Sequence, residues 1–376
     1  MGADVTEVLR AIGLMSGTSL DGVDVAMIET DGEGVMAFGP SFYRPYGDAE
    51  RALLRQALTD AVGLADRNAR PGVLAEAERI VTAIHADAVE AFLSAHQIAH
   101  ETVDLVGFHG QTVLHRPADR LTVQIGDGEE LSARLDLPVV YDMRAADVAA
   151  GGQGAPLVPV YHRALARGLE RSGPLVVVNV GGVSNITYID GDDVLIACDT
   201  GPGNALLDDF VARSTGQPFD ADGALAAQGQ VDEAWVARAL QNPFFSAAPP
   251  KSLDRNHFAA LTVEGKSPAD GAATLTAFTA ASIAAIATLL PAPPRAFIVA
   301  GGGARNPTLL AMLRARVAPA SVESADALGW SADAMEAQAF AFLAVRSAKG
   351  LPLTFPGTTG VAAALTGGVR AGRSQH

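Results

Sequence analysis

The stretch AIGLMSGTSLDGVDVAMIET, residues 11–30, decides the fold. Two apolar runs, Ala11–Ser16 and Val23–Thr30, flank the turn Ser16-Gly17-Thr18-Ser19-Leu20-Asp21-Gly22, and Gly34–Tyr43 reads as a third strand. An ordinary hairpin needs only one or two small turn residues. This turn offers successive backbone N–H groups with the hydroxyls of Ser16, Thr18 and Ser19 beside them, a set that can hold phosphate oxygens without a lysine.

The plan recurs in the second half. Leu175–Val180 and Asn185–Asp190 flank the turn GGVSN, and Val194–Cys198 is again a third strand. Each triplet is followed by helices and further strands, so the chain reads as α/β with two related lobes and a cleft between them. Periodicity and caps predict helices over Asp48–Val62, Gly72–Gln97, Asn204–Thr215, Asp232–Gln241, Asn306–Val317 and Ser331–Ala348. The lobe junction is expected in Met143–Pro159, where Gly151-Gly152-Gln153-Gly154-Ala155-Pro156 interrupts any regular element, with a return near Leu351–Gly360. That puts 1–143 with 355–376 in the first lobe and 144–354 in the second.

Composition narrows the function. The 376 residues carry 27 Lys plus Arg against 42 Asp plus Glu, a net charge of −15. Nucleic acid and anionic membrane are excluded as main partners, because counterion release needs clustered basic residues. The lone Cys198 makes no internal disulfide, and the start MGADVTEVLR lacks a signal-peptide pattern, so a cytoplasmic setting is expected. Gly271–Leu290 runs without a charge but is built mainly from Ala and Thr. It opens with Ser267-Pro268-Ala269-Asp270, a helix cap with proline at the first position, and reads as a buried helix.

Several signatures fail. Gly265-Lys266-Ser267 cannot close a Walker A loop because Ala260 stands where its first glycine belongs. No G-x-G-x-x-G, H-E-x-x-H or G-x-S-x-G run is present. His96 and His100, at helical spacing, have no acidic ligand beside them and read as a solvated helix end.

Four glycine-rich turns remain, the phosphate hairpin being the first. In Asp199-Thr200-Gly201-Pro202-Gly203-Asn204 a carboxylate stands at the end of an apolar strand, where α/β folds bind ligands. Asn204 or the glycines suffice as a helix cap, which leaves Asp199 for chemistry. Gly301-Gly302-Gly303 before Asn306-Pro307 lets a ring or phosphate approach the main chain. Gly107-Phe108-His109-Gly110-Gln111-Thr112 ends a strand with polar side chains that either face a sugar or cap a loop. Glu336, among Ala, Met and Phe, is either buried with a partner or aimed into the cleft, and Arg144 is equally a surface residue.

In this order GLMSGTSLDGVD, GFHGQT, GGQGAPLVP, NVGGVSNIT, DTGPGN, PPKS, GGGARNP and DAMEAQAFA resemble the anhydro-N-acetylmuramic acid kinase family, over Ile12 to about Gly368. The resemblance implies a two-lobed actin-like ATPase (sugar kinase/Hsp70/actin) fold with duplicated RNase H-like lobes and a central cleft. It implies opening of the 1,6-anhydro ring of anhydro-N-acetylmuramic acid by water and phosphorylation of O6 from ATP with Mg²⁺, in cell-wall recycling, by a cytoplasmic homodimer. Asp199 maps onto the catalytic aspartate. ATP-binding residues map onto Gly17, Thr18, Ser19, Leu20, Asp21, Gly22, Val23, Asp24, Asn179, Gly181, Gly182, Gly201, Gly301, Gly302, Gly303 and Asn306. Sugar-binding residues map onto Ser16, His109, Gln111, Thr112, Arg144 and Glu336. Gly13 stands near where many superfamily relatives carry a magnesium-ordering aspartate, so the metal ligands stay open. Ser324-Ala325-Asp326-Ala327 and Thr359-Gly360-Val361 depart from the family pattern outside the reacting centre. The rival readings are an ordinary hydroxyl-directed sugar kinase and a non-catalytic actin-like ATP-binding protein.

Overall fold

A computed structural model describes residues 7–169, 171–254 and 257–372. The chain forms two compact units, one taking everything up to residue 170 together with the segment from Ala334 on, the other Arg171–Asp333.

In the first unit β1 (Leu9–Ser16), β2 (Gly22–Thr30) and β3 (Val35–Pro45) form an antiparallel meander. β4 (Leu105–Arg116) lies parallel to β1, and β6 (Val139–Tyr141) parallel to β4. β5 (Leu121–Ile125) folds back on β4, and β12 (Val369–Ala371) closes the far edge against β6. α1 (Asp48–Ala61), α2 (Leu74–His96) and α3 (Gly128–Leu135) build the core on Ile12, Leu14, Val23 and Val25. The short α4 (Ala145–Ala149), α5 (Pro159–Arg167), α10 (Met335–Ala348) and α11 (Pro356–Thr359) complete the unit.

Strand alternation sends Gly13 to the α10 side, and Gly13 pairs with Gly107 of β4. A Cβ on Gly13 would stand 1.8 Å from the Ala337 carbonyl oxygen, and one on Gly107 2.1 Å from that of Phe340. Two adjacent glycines therefore let the α10 backbone lie on the sheet. No aspartate fits at position 13.

In the second unit β7 (Leu175–Val180), β8 (Val183–Asp190) and β9 (Val194–Pro202) form the meander. β10 (Ala296–Ala300) runs parallel to β7 and β11 (Ser321–Ser324) parallel to β10. The order β11-β10-β7-β8-β9 repeats β6-β4-β1-β2-β3 in pairing and direction, which is the duplicated RNase H-like plan. α6 (Ala205–Thr215), α7 (Glu233–Ala239), α8 (Pro268–Ala285) and α9 (Pro307–Val317) supply the helices. The uncharged stretch is α8, buried from Gly271 to Ile283 and capped by Ser267, whose Oγ accepts from the Asp270 N–H at 3.1 Å.

Four expectations are corrected. The chain divides at residue 170 and again at 333, not at 143/144 and 354/355, because α10 packs on Gly13 and Gly107 and Gln338 accepts from the Tyr161 hydroxyl of α5 at 3.0 Å. Gly107–Thr112 lies inside β4, which runs on to Arg116 because β5 pairs with its second half. β9 continues through Asp199 to Pro202, held by β8. His96 and His100 share no helix: Gln97, at φ 55°, ends α2 in the left-handed region.

Candidate active site

In the second unit alternation places Cys198 in the core and turns Asp199 to the opposite face of β9. Burial pushes the Cys198 thiol up to about 12, so it is an inert core group. Asp199 is clamped by a segment the turn motifs did not include. Its N–H donates to the Lys251 carbonyl at 2.9 Å, and its Oδ2 accepts from the Leu253 N–H at 2.6 Å. The Lys251 ammonium donates to the Phe244 carbonyl at 2.8 Å and lies over that ring, which anchors the segment. Burial lifts the Asp199 carboxyl to about 6, with the Leu253 hydrogen bond opposing. A carboxylate near that value accepts a proton at physiological pH and has some driving force to do so.

The glycine turns of this unit gather at the carboxyl ends of β7 and β10, where Asn179 pairs with Ala300. The carbonyls of Gly181 and Gly182 accept from the N–H groups of Gly203, Asn204 and Ala205, so the start of α6 is tied to the β7–β8 turn and is not open to a phosphate. Gly301 has φ 72°, and a Cβ there would strike Asn179 Oδ1 at 2.3 Å. Gly303 packs on Val180 and Gly201 on Ser282. Asn306 is buried and caps α9 by accepting from the Leu309 N–H at 2.9 Å. Among these glycines Gly181, Gly182 and Gly302 are uncrowded, since a Cβ there would make only ordinary contacts at 3.6–3.8 Å.

In the first unit the hairpin divides in the same way. Leu20, at φ 58°, and Val23 are buried in the core, and a Cβ on Gly22 would meet the Arg44 carbonyl oxygen. Thr18, Ser19 and Asp21 are exposed and Gly17 is uncrowded, so 17–19 with Asp21 is the part of the hairpin open to solvent. Asp24 lies within β2.

The sugar-side candidates form one network. The Ser16 hydroxyl is 2.7 Å from the Tyr46 hydroxyl and donates to Gln111 Oε1 at 2.5 Å, while Gln111 Nε2 donates to the Gly17 carbonyl at 3.1 Å. Ser16 and Gln111 are fully buried and engaged, so they brace the hairpin. Thr112 Oγ1 accepts from Gln124 at 3.4 Å. Arg144 precedes α4 and is half-buried, with its guanidinium directed to His109 Nε2 and to the Gly154 carbonyl at 2.9 Å. Burial lowers it to about 10, with Glu336 opposing. Glu336, in the first turn of α10, keeps solvent access but is hemmed in by protein, which raises its carboxyl against the pull of Arg144. His109 is held neutral, at about 3, first by burial and then by Arg144.

A sequence model of the anhydro-N-acetylmuramic acid kinases matches residues 9–371. Anhydro-N-acetylmuramic acid kinase of Rhodopseudomonas palustris (strain BisB18) is 71% identical over 360 residues, 96% of this chain and 99% of that one. The chain belongs to the anhydro-N-acetylmuramic acid kinase family. The protein of that name from Bradyrhizobium diazoefficiens (strain JCM 10833 / BCRC 13528 / IAM 13628 / NBRC 14792 / USDA 110) is 68% identical over 361 residues, 96% and 98% of the two chains. Among solved structures the chain is similar to a ROK family glucokinase from Streptomyces griseus in complex with glucose and AMPPNP, at TM-score 0.38 and 16% identity over 89% of this chain and 99% of that one. It is also similar to the activator of 2-hydroxyisocaproyl-CoA dehydratase from Clostridium difficile with bound ADPNP, at TM-score 0.45 and 11% identity over 91% and 96%. The enzyme is thus a kinase by its sequence relatives.

Residue reading missed the supports. Asp147 is buried, accepts from the Gly154 N–H at 2.6 Å and from the Thr359 hydroxyl at 2.7 Å, and so pins the loop whose carbonyl meets Arg144. The signal was local: Asp147 lies one helical turn after Arg144. Tyr46 and the Leu253 N–H had no signal, since both act across long sequence separations.

Proposed function

We propose that this enzyme opens the 1,6-anhydro ring of 1,6-anhydro-N-acetylmuramic acid with water and transfers the γ-phosphoryl of ATP to O6, giving N-acetylmuramic acid 6-phosphate and ADP in murein recycling. On the structural side the reading is carried by Asp199, a partly buried carboxylate with one oxygen fixed by the Leu253 N–H and a raised affinity for protons.

Asp199 takes a proton from the water that attacks C1. The C1–O6 bond breaks as the C1–O bond to water forms, and O6 takes the phosphoryl group from ATP. General-base help of this kind contributes about 10²–10⁴-fold. Backbone N–H groups of Gly17–Ser19 bind and orient the phosphates of the nucleotide. Arg144 and Glu336 orient the sugar.

Among the described residues no group of three or more His, Cys, Asp or Glu forms a cage for a metal ion. That fits Mg²⁺, which keeps its waters and binds phosphates with one or two carboxylates. Asp21, exposed beside the Gly17–Ser19 turn, is the hard oxygen donor that would hold it. Bound magnesium supplies neutralisation of phosphate charge. The cytoplasmic setting and the homodimer implied by the resemblance belong to the same proposal.

Mass spectrometry of reactions in H₂¹⁸O tests it. The expected product gains one phosphoryl group and one water, with the label at C1. Label in phosphate, or equal turnover of the reducing sugar, would refute the reaction.

A further inference from the structure

We propose that His109 is a positioning residue for this reaction: its Nε2 accepts from Nε and Nη2 of Arg144, at 3.3 and 3.1 Å, and holds the guanidinium toward the sugar. The inference rests on the reading of Arg144 as a sugar-binding residue.

The chemistry of the neighbours fixes the tautomer. His109 Nδ1 lies 3.1 Å from the Ser16 carbonyl oxygen, which only accepts, so Nδ1 carries the proton and donates. Nε2 is left with a lone pair, and Arg144 only donates. Each ring nitrogen therefore has the one partner type it can use. With 6% of its surface exposed and both nitrogens taken, His109 has nothing to offer a substrate directly. Its ring packs on Phe340 at 4.7 Å between centroids, and Arg144 lies 6.0 Å from the same ring, so one apolar floor carries both.

A second buried histidine in this unit is held differently. His85 is fully buried with Nδ1 2.7 Å from the Val81 carbonyl, and its Nε2 has no partner. The other hydrogen-bond partner of Arg144, the Gly154 carbonyl, is neutral too, while Glu336 acts on the guanidinium without a hydrogen bond between them. Neutral acceptors orient the fork without forming a direct ion pair.

Two substitutions separate positioning from packing. His109→Gln can put an acceptor where Nε2 stands, whereas His109→Asn keeps only a group at the Nδ1 position to donate to Ser16. In His109→Asn the KM for the anhydrosugar should rise about 10- to 100-fold, the range for losing a hydrogen bond to a charged group, with kcat and the KM for ATP within about threefold. His109→Gln should recover most of the loss. Equal effects of Asn and Gln, or parallel shifts in both KM values, overturn the inference. ¹⁵N NMR of the ring in the wild-type protein gives an arm independent of turnover and of those variants' folding. Nδ1 should be the protonated nitrogen and the Nε2 signal should move in Arg144→Ala. A protonated Nε2, or a signal indifferent to Arg144, overturns it. Absence of sugar-dependent turnover in the wild type would count against the proposed reaction, while the NMR arm still decides the histidine.

Discussion

Asp199→Asn should make the protein inactive and more stable at the same time. Burial raises the carboxyl from 3.8 to about 6, so above pH 6 the folded chain carries a charge that its surroundings disfavour. At 1.36 kcal/mol per pH unit, that difference corresponds to about 3 kcal/mol. Asp199 is only partly buried, and the neutral amide accepts a weaker hydrogen bond from the Leu253 N–H, so the net gain should be about 1–2 kcal/mol. The sign follows from the folded value lying above the unfolded one. The wild type bears the full cost above pH 6 and sheds it as the carboxyl protonates on falling pH, and below about pH 4 the gap closes. Thermal unfolding of both proteins at pH 8 and pH 4 reads it, with about 2–4 °C expected per kcal/mol for a unit of this size. Turnover at pH 8 should fall by at least about 10²-fold. An Asn variant with near-native turnover would refute the general base. A stability difference of the same size at both pH values would refute the account of the raised carboxyl.

The same carboxyl should give kcat/KM an acidic limb near pH 6, since the base must be deprotonated in the free enzyme; a flat profile from pH 5 to 8 would contradict it. Leu253→Pro removes the N–H that lowers the carboxyl, and the limb should move to higher pH; no movement would separate that hydrogen bond from the base. Gly13→Ala drives a methyl group into the Ala337 carbonyl of α10 and should cost more than about 3 kcal/mol in denaturant unfolding, because backbone rather than a flexible side chain must move. Asp147→Ala releases the Gly154 N–H and the Thr359 hydroxyl, and the KM for the sugar should rise with that for ATP unchanged; an equal change in both would mean general loosening.

Local pattern made much of the fold legible. The hairpin Leu9–Thr30 and its counterpart Leu175–Asp190 were readable because strand alternation and glycine turns are short-range signals. Asp199 stood out because it follows an apolar strand and caps nothing. The functions of the individual polar residues were not legible. Ser16, His109 and Gln111 read as sugar contacts, and their hydrogen bonds go to Gly17, Arg144 and each other's neighbours, partners up to about a hundred residues away. Leu20, Gly22 and Val23 read as part of the phosphate turn but belong to the core and to the strand pair below it.

From the chain of letters alone come the α/β class, the duplicated meander, the glycine turns and the carboxylate at 199, because each depends on residues adjacent in sequence. Only tertiary structure decided that α10 belongs with the first unit, that Lys251 and Leu253 clamp Asp199, and which glycines serve packing and which are uncrowded. Those outcomes turn on contacts between distant segments, where a missing Cβ or a single backbone N–H is the whole signal and leaves no period or motif to read.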